Sequence, residues 1–218
     1  MLIVYPAMYR DRFGEEATSI KNDGTTLRMV VRGIEFTGRM FDDWESSTTA
    51  SDPQLANFQL NRGEICSYTL DCELPIQLVM ASQITQATLR IHLELGEPRA
   101  NGGVDCEELK LELVTAAQRF ESSAHQGLFE EALKDIQAKL PADAYMKCCF
   151  TCAFSDYNPA GQGLFGGLLC FRYHKQEYLS FTDKHAYFRL IEKTHEAVQE
   201  TYLCPEFEKR VPGTGYRG

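Results

Sequence analysis

The chain has 218 residues, 44% of them apolar and 24% charged, which is the composition of a globular protein able to bury a core in one large domain or two small ones. No stretch approaches the ~18–20 apolar residues of a membrane span, so a spanning helix is excluded. The formal net charge of −9 opposes phosphate neutralisation and argues against nucleic-acid binding.

The opening stretch MLIVYPAMYRDRFGEE has no basic region followed by a long apolar run. It reads as a strand and not as a signal peptide, which places the protein in the cytoplasm with its eight cysteines reduced. Asn22-Asp23-Gly24 is a turn signal between apolar runs, so the flanks around Leu2–Tyr9 and Leu27–Phe36 read as early strands of an antiparallel sheet. Phe41–Pro53 (FDDWESSTTASDP) loses periodicity and reads as an exposed loop carrying the only tryptophan. Three alternating strands follow. Cys66, Tyr68, Leu70, Cys72 and Leu74 share one face. So do Leu89, Ile91, Leu93 and Leu95, opposite Arg90, His92 and Glu94, and then Leu109, Leu111 and Leu113. Such alternation belongs to an antiparallel sheet with one wet face.

The period changes at Leu128–Leu140, where Phe129, Ala132, Leu133, Ile136 and Leu140 form a helical stripe ended by Pro141. Met146, Cys148, Phe150, Cys152 and Phe154 alternate again as a strand, and a Gly-rich loop leads to a short strand at Leu168–Tyr173. Asp183–Leu203 carries Tyr187, Leu190, Ile191, Thr194, Val198, Thr201 and Tyr202 at helical spacing, and the tail from Cys204 is aperiodic. The pattern predicts one α+β domain, residues 1–218. It is β-rich over 1–115 and mixed α/β over 116–218, mostly antiparallel sheet with two principal helices in the C-terminal half.

Several constellations carry possible chemistry. Cys148-Cys149-x-x-Cys152 with Cys170 and His174 loosely resembles a zinc or redox motif. Strand register puts Cys66, Cys72, Cys148 and Cys152 on apolar faces, where a free cysteine packs as a small hydrophobe, and leaves Cys149 on the polar face. Gly161-Gln162-Gly163-Leu164-Phe165-Gly166 matches G-x-G-x-x-G, but it neither follows a strand directly nor opens a helix, so a hairpin loop is expected. His92, His125, His174, His185 and His195 are scattered, and no nucleophile motif is present. The adjacent acids Glu107 and Glu108 point apart on a strand and read as solvated. Asp42, Asp43, Trp44 and Glu45 place an aromatic among acids, which suits recognition of a basic partner, the competing reading being a tryptophan folded onto the core. Asp156 and Tyr157 form a second such patch.

The charge is unevenly spread along the chain. Residues 1–40 carry six basic and five acidic groups, residues 42–135 six and seventeen, and residues 136–218 ten and nine. The excess lies in the middle stretch, a field that steers basic partners.

The block YMKCCFTCAFSDYNPAGQGLFGGLLCFRYHKQEYL and the ending VQETYLCPEFEKRVPGTGYRG resemble an uncharacterised bacterial domain family. Its pattern is a cysteine strand, a Ser-Asp-Tyr-x-Pro loop, a Phe-Gly then Cys-Phe-Arg strand, and a final Gly-Thr-Gly-Tyr-Arg-Gly. By analogy the chain is similar to immunity proteins of polymorphic (Rhs-type) toxins. That resemblance implies a non-enzymatic inhibitor, without cofactor or metal, which occludes the basic cleft of a cognate toxin domain and binds neither nucleic acid nor membrane. The alternative is a metal-binding protein or enzyme using the Cys148–His174 region.

Overall fold

The structure is a computed structural model, and it describes all residues except 1, 50, 124–127, 159–162, 181–183, 194–195 and 215–218. The chain packs into two compact units, neither of them continuous in sequence: residues 1–75, 87–139 and 163–165, and residues 76–86, 140–162 and 166–218. The fold is α+β and mostly antiparallel, as the alternation predicts.

The first unit is built on a strand meander: β1 (Ile3–Asp11), β2 (Gly14–Asn22), β3 (Leu27–Val31), β4 (Ile34–Gly38), β5 (Glu45–Ser46), β6 (Gln59–Asn61), β7 (Glu64–Cys66), β8 (Tyr68–Met80), β9 (Gln83–Leu95), β10 (Glu107–Val114) and β11 (Arg119–Glu121). Their order in the sheet is β11-β10-β9-β8-β1-β2-β3-β4-β5-β7-β6. Register follows the apolar pattern: Tyr5 faces Ile20, Met29 faces Phe36, and Leu93 faces Leu109. All six are buried, and a one-residue slip in any pair would turn the whole apolar set outward. Helix α1 (Phe129–Lys139) packs Phe129, Ala132, Leu133 and Ile136 inward, and Lys134 Nζ lies 2.8 Å from Glu130 Oε1 one turn back.

Two aromatic clusters fill this core, Tyr9–Tyr68 with Phe36–Phe58, and Phe41–Phe129–Phe165. Each ring buried here contributes about 1.5–3 kcal/mol relative to an exposed one. The buried Asn22 amide donates to Tyr5 Oη at 2.6 Å and its Oδ1 accepts Gly24 N–H at 2.8 Å, which satisfies a polar group inside the core and closes the Asn22–Gly24 turn.

Three local expectations change in this unit. The Asn-Asp-Gly turn joins β2 to β3, and Gly14–Asn22 is itself a strand. Leu27–Phe36 is a hairpin, turned at Arg32 and Gly33 where φ is 51° and 78°. Phe41–Pro53 is not an exposed loop throughout, because Phe41 and Trp44 have no exposed surface and β5 adds a short strand.

The second unit contains the tip of the β8–β9 hairpin, to which β12 (Tyr145–Met146) adds along Leu78–Val79. A three-stranded antiparallel sheet follows, β13 (Ser155–Tyr157), β14 (Leu168–Cys170) and β15 (Glu196–Val198), with helices α2 (Lys175–Leu179) and α3 (Lys184–Lys193). Its core gathers Phe154, Leu169, Phe171, Tyr178, Tyr187 and Leu190, with Phe171 and Tyr178 stacked 4.8 Å apart. The segment after Val198 is pinned by backbone bonds: Phe150 N–H to Glu200 O, Cys149 N–H to Tyr202 O, Ala153 N–H to Glu208 O, and Arg210 N–H to Thr151 O.

Two expected elements are shorter than predicted. Met146–Phe154 is not one strand, since Cys149–Thr151 forms a 3-10 turn closed by Cys152 N–H on Cys149 O at 3.1 Å. Nor does the last helix run to Leu203. Among the described residues it ends at Lys193, and Glu196–Val198 pairs with β14 instead. No described helix is long and apolar enough to cross a membrane.

Candidate functional site

The most unusual electrostatics in the first unit lie where β4 leaves the sheet and β5 re-enters it. The turn after Gly38 is closed by Asp43, whose carboxylate accepts the Arg39 N–H at 2.9 Å and the Met40 N–H at 2.8 Å. Gly38 is required there, because a Cβ would stand 2.4 Å from Asp43 Oδ1. The turn folds Trp44 inward, where its indole N–H donates to Phe41 O at 2.9 Å while Tyr68 Oη donates to the same carbonyl at 2.7 Å. Trp44 is therefore a core residue and not a surface anchor.

Folding the tryptophan in leaves its acidic neighbours around a cleft of about 150 Å³ lined by Asp42, Asn61, Glu64, Glu107 and the backbone of Gly102 and Gly103. Strand register puts Glu45 directly opposite Glu64, a like-charge pair that opposes strand association. Asp42 is pushed up to about 7, first by burial and then by Glu107, Asp43 and Glu64. Burial, with Asp43 and Glu45, also raises Glu64, and burial raises Glu107. Among the described residues Asp42 Oδ1 is buried without a hydrogen-bond partner.

Among the described residues no lysine, arginine or histidine pairs with Asp42, Asp43, Glu45, Glu64 or Glu107, whereas several acids elsewhere in the unit are held by cations. Arg32 forks onto Asp11 at 2.6 and 2.7 Å, Arg90 bridges Glu73 and Glu112, and Asp71 holds Arg10 and His92. The acids of the cleft do not converge as a chelate: among the described residues no three His, Cys, Asp or Glu side chains stand together as metal ligands. What the arrangement can do is accept a cationic group, since a positive charge would relieve repulsion among four or five carboxylates at once.

Of the six residues singled out from the sequence, the structure brings Asp42, Asp43 and Glu45 together and leaves only Glu45 exposed. Asp156 and Tyr157 are buried in the second unit, 2% and 4% exposed, so they form no surface patch. Asp156 Oδ2 accepts from Tyr178 Oη at 2.8 Å, Tyr187 Oη donates to Tyr157 O at 2.9 Å, and Arg210 reaches Tyr178 Oη at 3.2 Å: a buried polar network that orders β13 against α2, α3 and the tail. Sequence reasoning missed Glu64 and read Glu107 as solvated, whereas Glu107 lines the cleft and burial raises its carboxyl. No local signal marks them, because only the strand register carries them to Asp42.

The cysteines pack as expected, with one correction. Cys66, Cys72, Cys148 and Cys152 are buried and unbridged, and Cys149 is buried as well, 2% exposed, instead of lying on a polar face. The 3-10 turn rotates it inward beside Cys148, Cys152, Cys170 and Cys204, and burial first, then those neighbours, drives its thiol pKa far up. Such a thiol is a poor nucleophile. His174 Nδ1 faces Glu177 Oε2 at 3.7 Å. His125 and His195 lie outside the described residues.

The described part of the glycine loop is held from within the protein. Glu200, with no exposed surface, accepts the Gly166 N–H at 2.6 Å and the Gly167 N–H at 3.1 Å, while burial pushes its carboxyl up to about 7. A carboxylate of the chain thus occupies the donors that a phosphate loop would present. Gly161 and Gln162 lie outside the described residues.

In comparisons with known proteins, the model of a family of unknown function, DUF6304, matches residues 3–155. No curated protein and no solved structure matches the chain. The match covers the strand meander, whereas most of the motifs that carried the resemblance read from the sequence lie beyond residue 155.

Proposed function

The chain belongs to the DUF6304 family, for which no function is described, and we propose that it is an immunity-type binding protein whose acidic first unit neutralises a basic partner, a secreted toxin domain. The observation that carries this reading is the set of uncompensated carboxylates around Asp42, Glu64 and Glu107. Keeping Glu45 opposite Glu64, and Asp42 half-neutral inside a wall of acids, costs stability that a purely structural surface has no reason to bear. Charge bookkeeping points the same way. The first unit holds 13 basic and 22 acidic residues and the second holds 9 of each, so the whole net charge of −9 belongs to the first. A guanidinium or ammonium from the partner would enter the cleft, and the surrounding field would speed encounter.

The test is capture from the native host with the full chain as bait, followed by association kinetics on the recovered domain. A single stoichiometric basic domain is expected. Glu45→Lys with Glu64→Lys slows its association, and added salt slows the unsubstituted protein towards the variant's rate. These positions are preferred to Asp43, whose replacement would open the turn at Arg39 and Met40. Recovery of no stoichiometric partner, or an association rate indifferent to both substitutions and to salt, refutes the proposal.

A further inference from the structure

The second unit contains a cleft of opposite character. It has a volume of about 600 Å³ and is lined by Tyr145, Phe207, Lys147, Lys209, Asp143 and the half-exposed Ile84. Two segments build its wall, each with an aromatic residue two positions before a lysine. Tyr145 begins β12, which pairs with β8, and Lys147 continues the pairing through its N–H to Gln77 O at 2.7 Å. Lys209 bridges to Cys152, and Phe207 precedes it by two residues. Side chains two apart on extended backbone share a face, which places Tyr145 and Lys147 together, and Phe207 and Lys209 line the same cleft. The rings of Tyr145 and Phe207 lie 6.1 Å apart and are inclined by only 12°, and Lys209 Nζ stands 4.3 Å from the Tyr145 ring centre.

The charges do not cancel internally. Among the described residues neither Lys147 nor Lys209 is within ion-pair distance of a carboxylate. Asp143, which also lines the cleft, accepts Ala81 N–H at 3.0 Å in the hairpin turn, and the two lysines leave the lining with a formal charge of +1. A stacked pair of aromatic rings, two ammonium groups without a carboxylate partner, one of them resting on the Tyr145 ring, and a volume within the usual ~300–1,000 Å³ of ligand sites describe a receptor for a planar ring bearing an anionic group. We propose that this cleft binds a mononucleotide, whose phosphate draws Lys209 off the Tyr145 ring and sits between Lys147 and Lys209 while its base takes the ring face so freed. The site is independent of the acidic cleft and of the partner assigned to the first unit.

Titration calorimetry on the full chain tests this with four probes: adenosine 5′-monophosphate, uridine 5′-monophosphate, adenosine and inorganic phosphate. Both nucleotides are expected to saturate one site at least about tenfold more tightly than adenosine or phosphate alone. Tyr145→Leu keeps the apolar bulk and removes the stacking face, and it weakens nucleotide binding by about 5- to 150-fold, the equivalent of one stacked base, without changing phosphate binding. Lys147→Gln and Lys209→Gln sit on partly or fully exposed side chains, leave the far-ultraviolet circular dichroism unchanged, and weaken both nucleotide and phosphate while flattening the salt dependence. Absence of saturable binding by either nucleotide overturns the proposal. So does binding that survives the double lysine variant, or phosphate binding as tightly as nucleotide, which would reduce the site to an anion patch.

Discussion

Replacing Asp42 by asparagine isolates the cost of the acidic cleft. In the unfolded chain this carboxyl ionises near 3.8, and in the folded protein burial with Glu107, Asp43 and Glu64 pushes it up to about 7. The folded state therefore holds a proton that the unfolded state has lost, and stability falls as pH rises between these two values. The cost is absent below pH ~3.8, reaches roughly 1.7 kcal/mol at pH 5, and approaches about 4 kcal/mol at pH 8, where both states are ionised. Asparagine keeps the shape and the unpartnered Oδ1 but carries no charge. Asp42→Asn should therefore gain about 2–3 kcal/mol relative to the unsubstituted protein on going from pH 5 to pH 8. Urea denaturation at the two pH values, with unchanged denaturant slopes, reads this directly. An equal effect of the substitution at both pH values would show that Asp42 is not held near neutrality, and the electrostatic case for the cleft would fall with it. The same variant should bind a basic partner more weakly, since it removes a charge that only binding can stabilise.

Other substitutions probe separate parts of the argument. Glu64→Lys turns the like-charged pair with Glu45 into an opposite-charged one and should stabilise the fold by about 0.5–1 kcal/mol, measured by the urea midpoint. Glu200→Ala strips the Gly166 and Gly167 N–H groups of their acceptor in a fully buried site and should cost about 3–5 kcal/mol by the same assay, a loss below 1 kcal/mol contradicting the structural role. Trp44→Ala empties a fully buried site and should cost about 3–5 kcal/mol, while the fluorescence of the unsubstituted protein, from this single tryptophan, should be that of a dry environment and resist aqueous quenchers. Thiol labelling of the native protein should reach Cys106 first, the one cysteine that is not buried, and the other seven only on unfolding. Rapid native labelling of Cys149 would contradict its place in the core.

Local pattern was enough wherever a segment has one wet face and one dry face. Leu89, Ile91 and Leu93 against Arg90 and His92 could only be a half-buried strand. The stripe from Phe129 to Ile136, stopped by Pro141, could only be a helix. The pattern misled where both faces are dry. Met146, Cys148, Phe150, Cys152 and Phe154 alternate with residues that are largely buried too, so period two carries no information there, and the backbone was free to close a 3-10 turn at Cys149. In the last helix Tyr187, Leu190 and Ile191 marked a real stripe. Val198 extended it by coincidence, because its partner Leu168 lies thirty residues upstream and only strand pairing reveals it.

For the site, the sequence by itself determined an acidic middle region, an aromatic among acids at Asp42–Glu45, and the absence of familiar catalytic motifs. Tertiary structure decided which of these matter. It turned Trp44 and Tyr157 inward, because an indole and a phenol gain more from burial than from water, and Asp156 with them, its carboxyl held by Tyr178 Oη and the Tyr157 N–H. It brought Glu64 and Glu107 to Asp42 through sheet register, which no short window of sequence encodes. It also set Tyr145-x-Lys147 beside Phe207-x-Lys209, segments some sixty residues apart in the chain. Whether a charge is compensated depends on distances between strands, so composition could assign the sign of the field while only the fold could place the charges left without a partner.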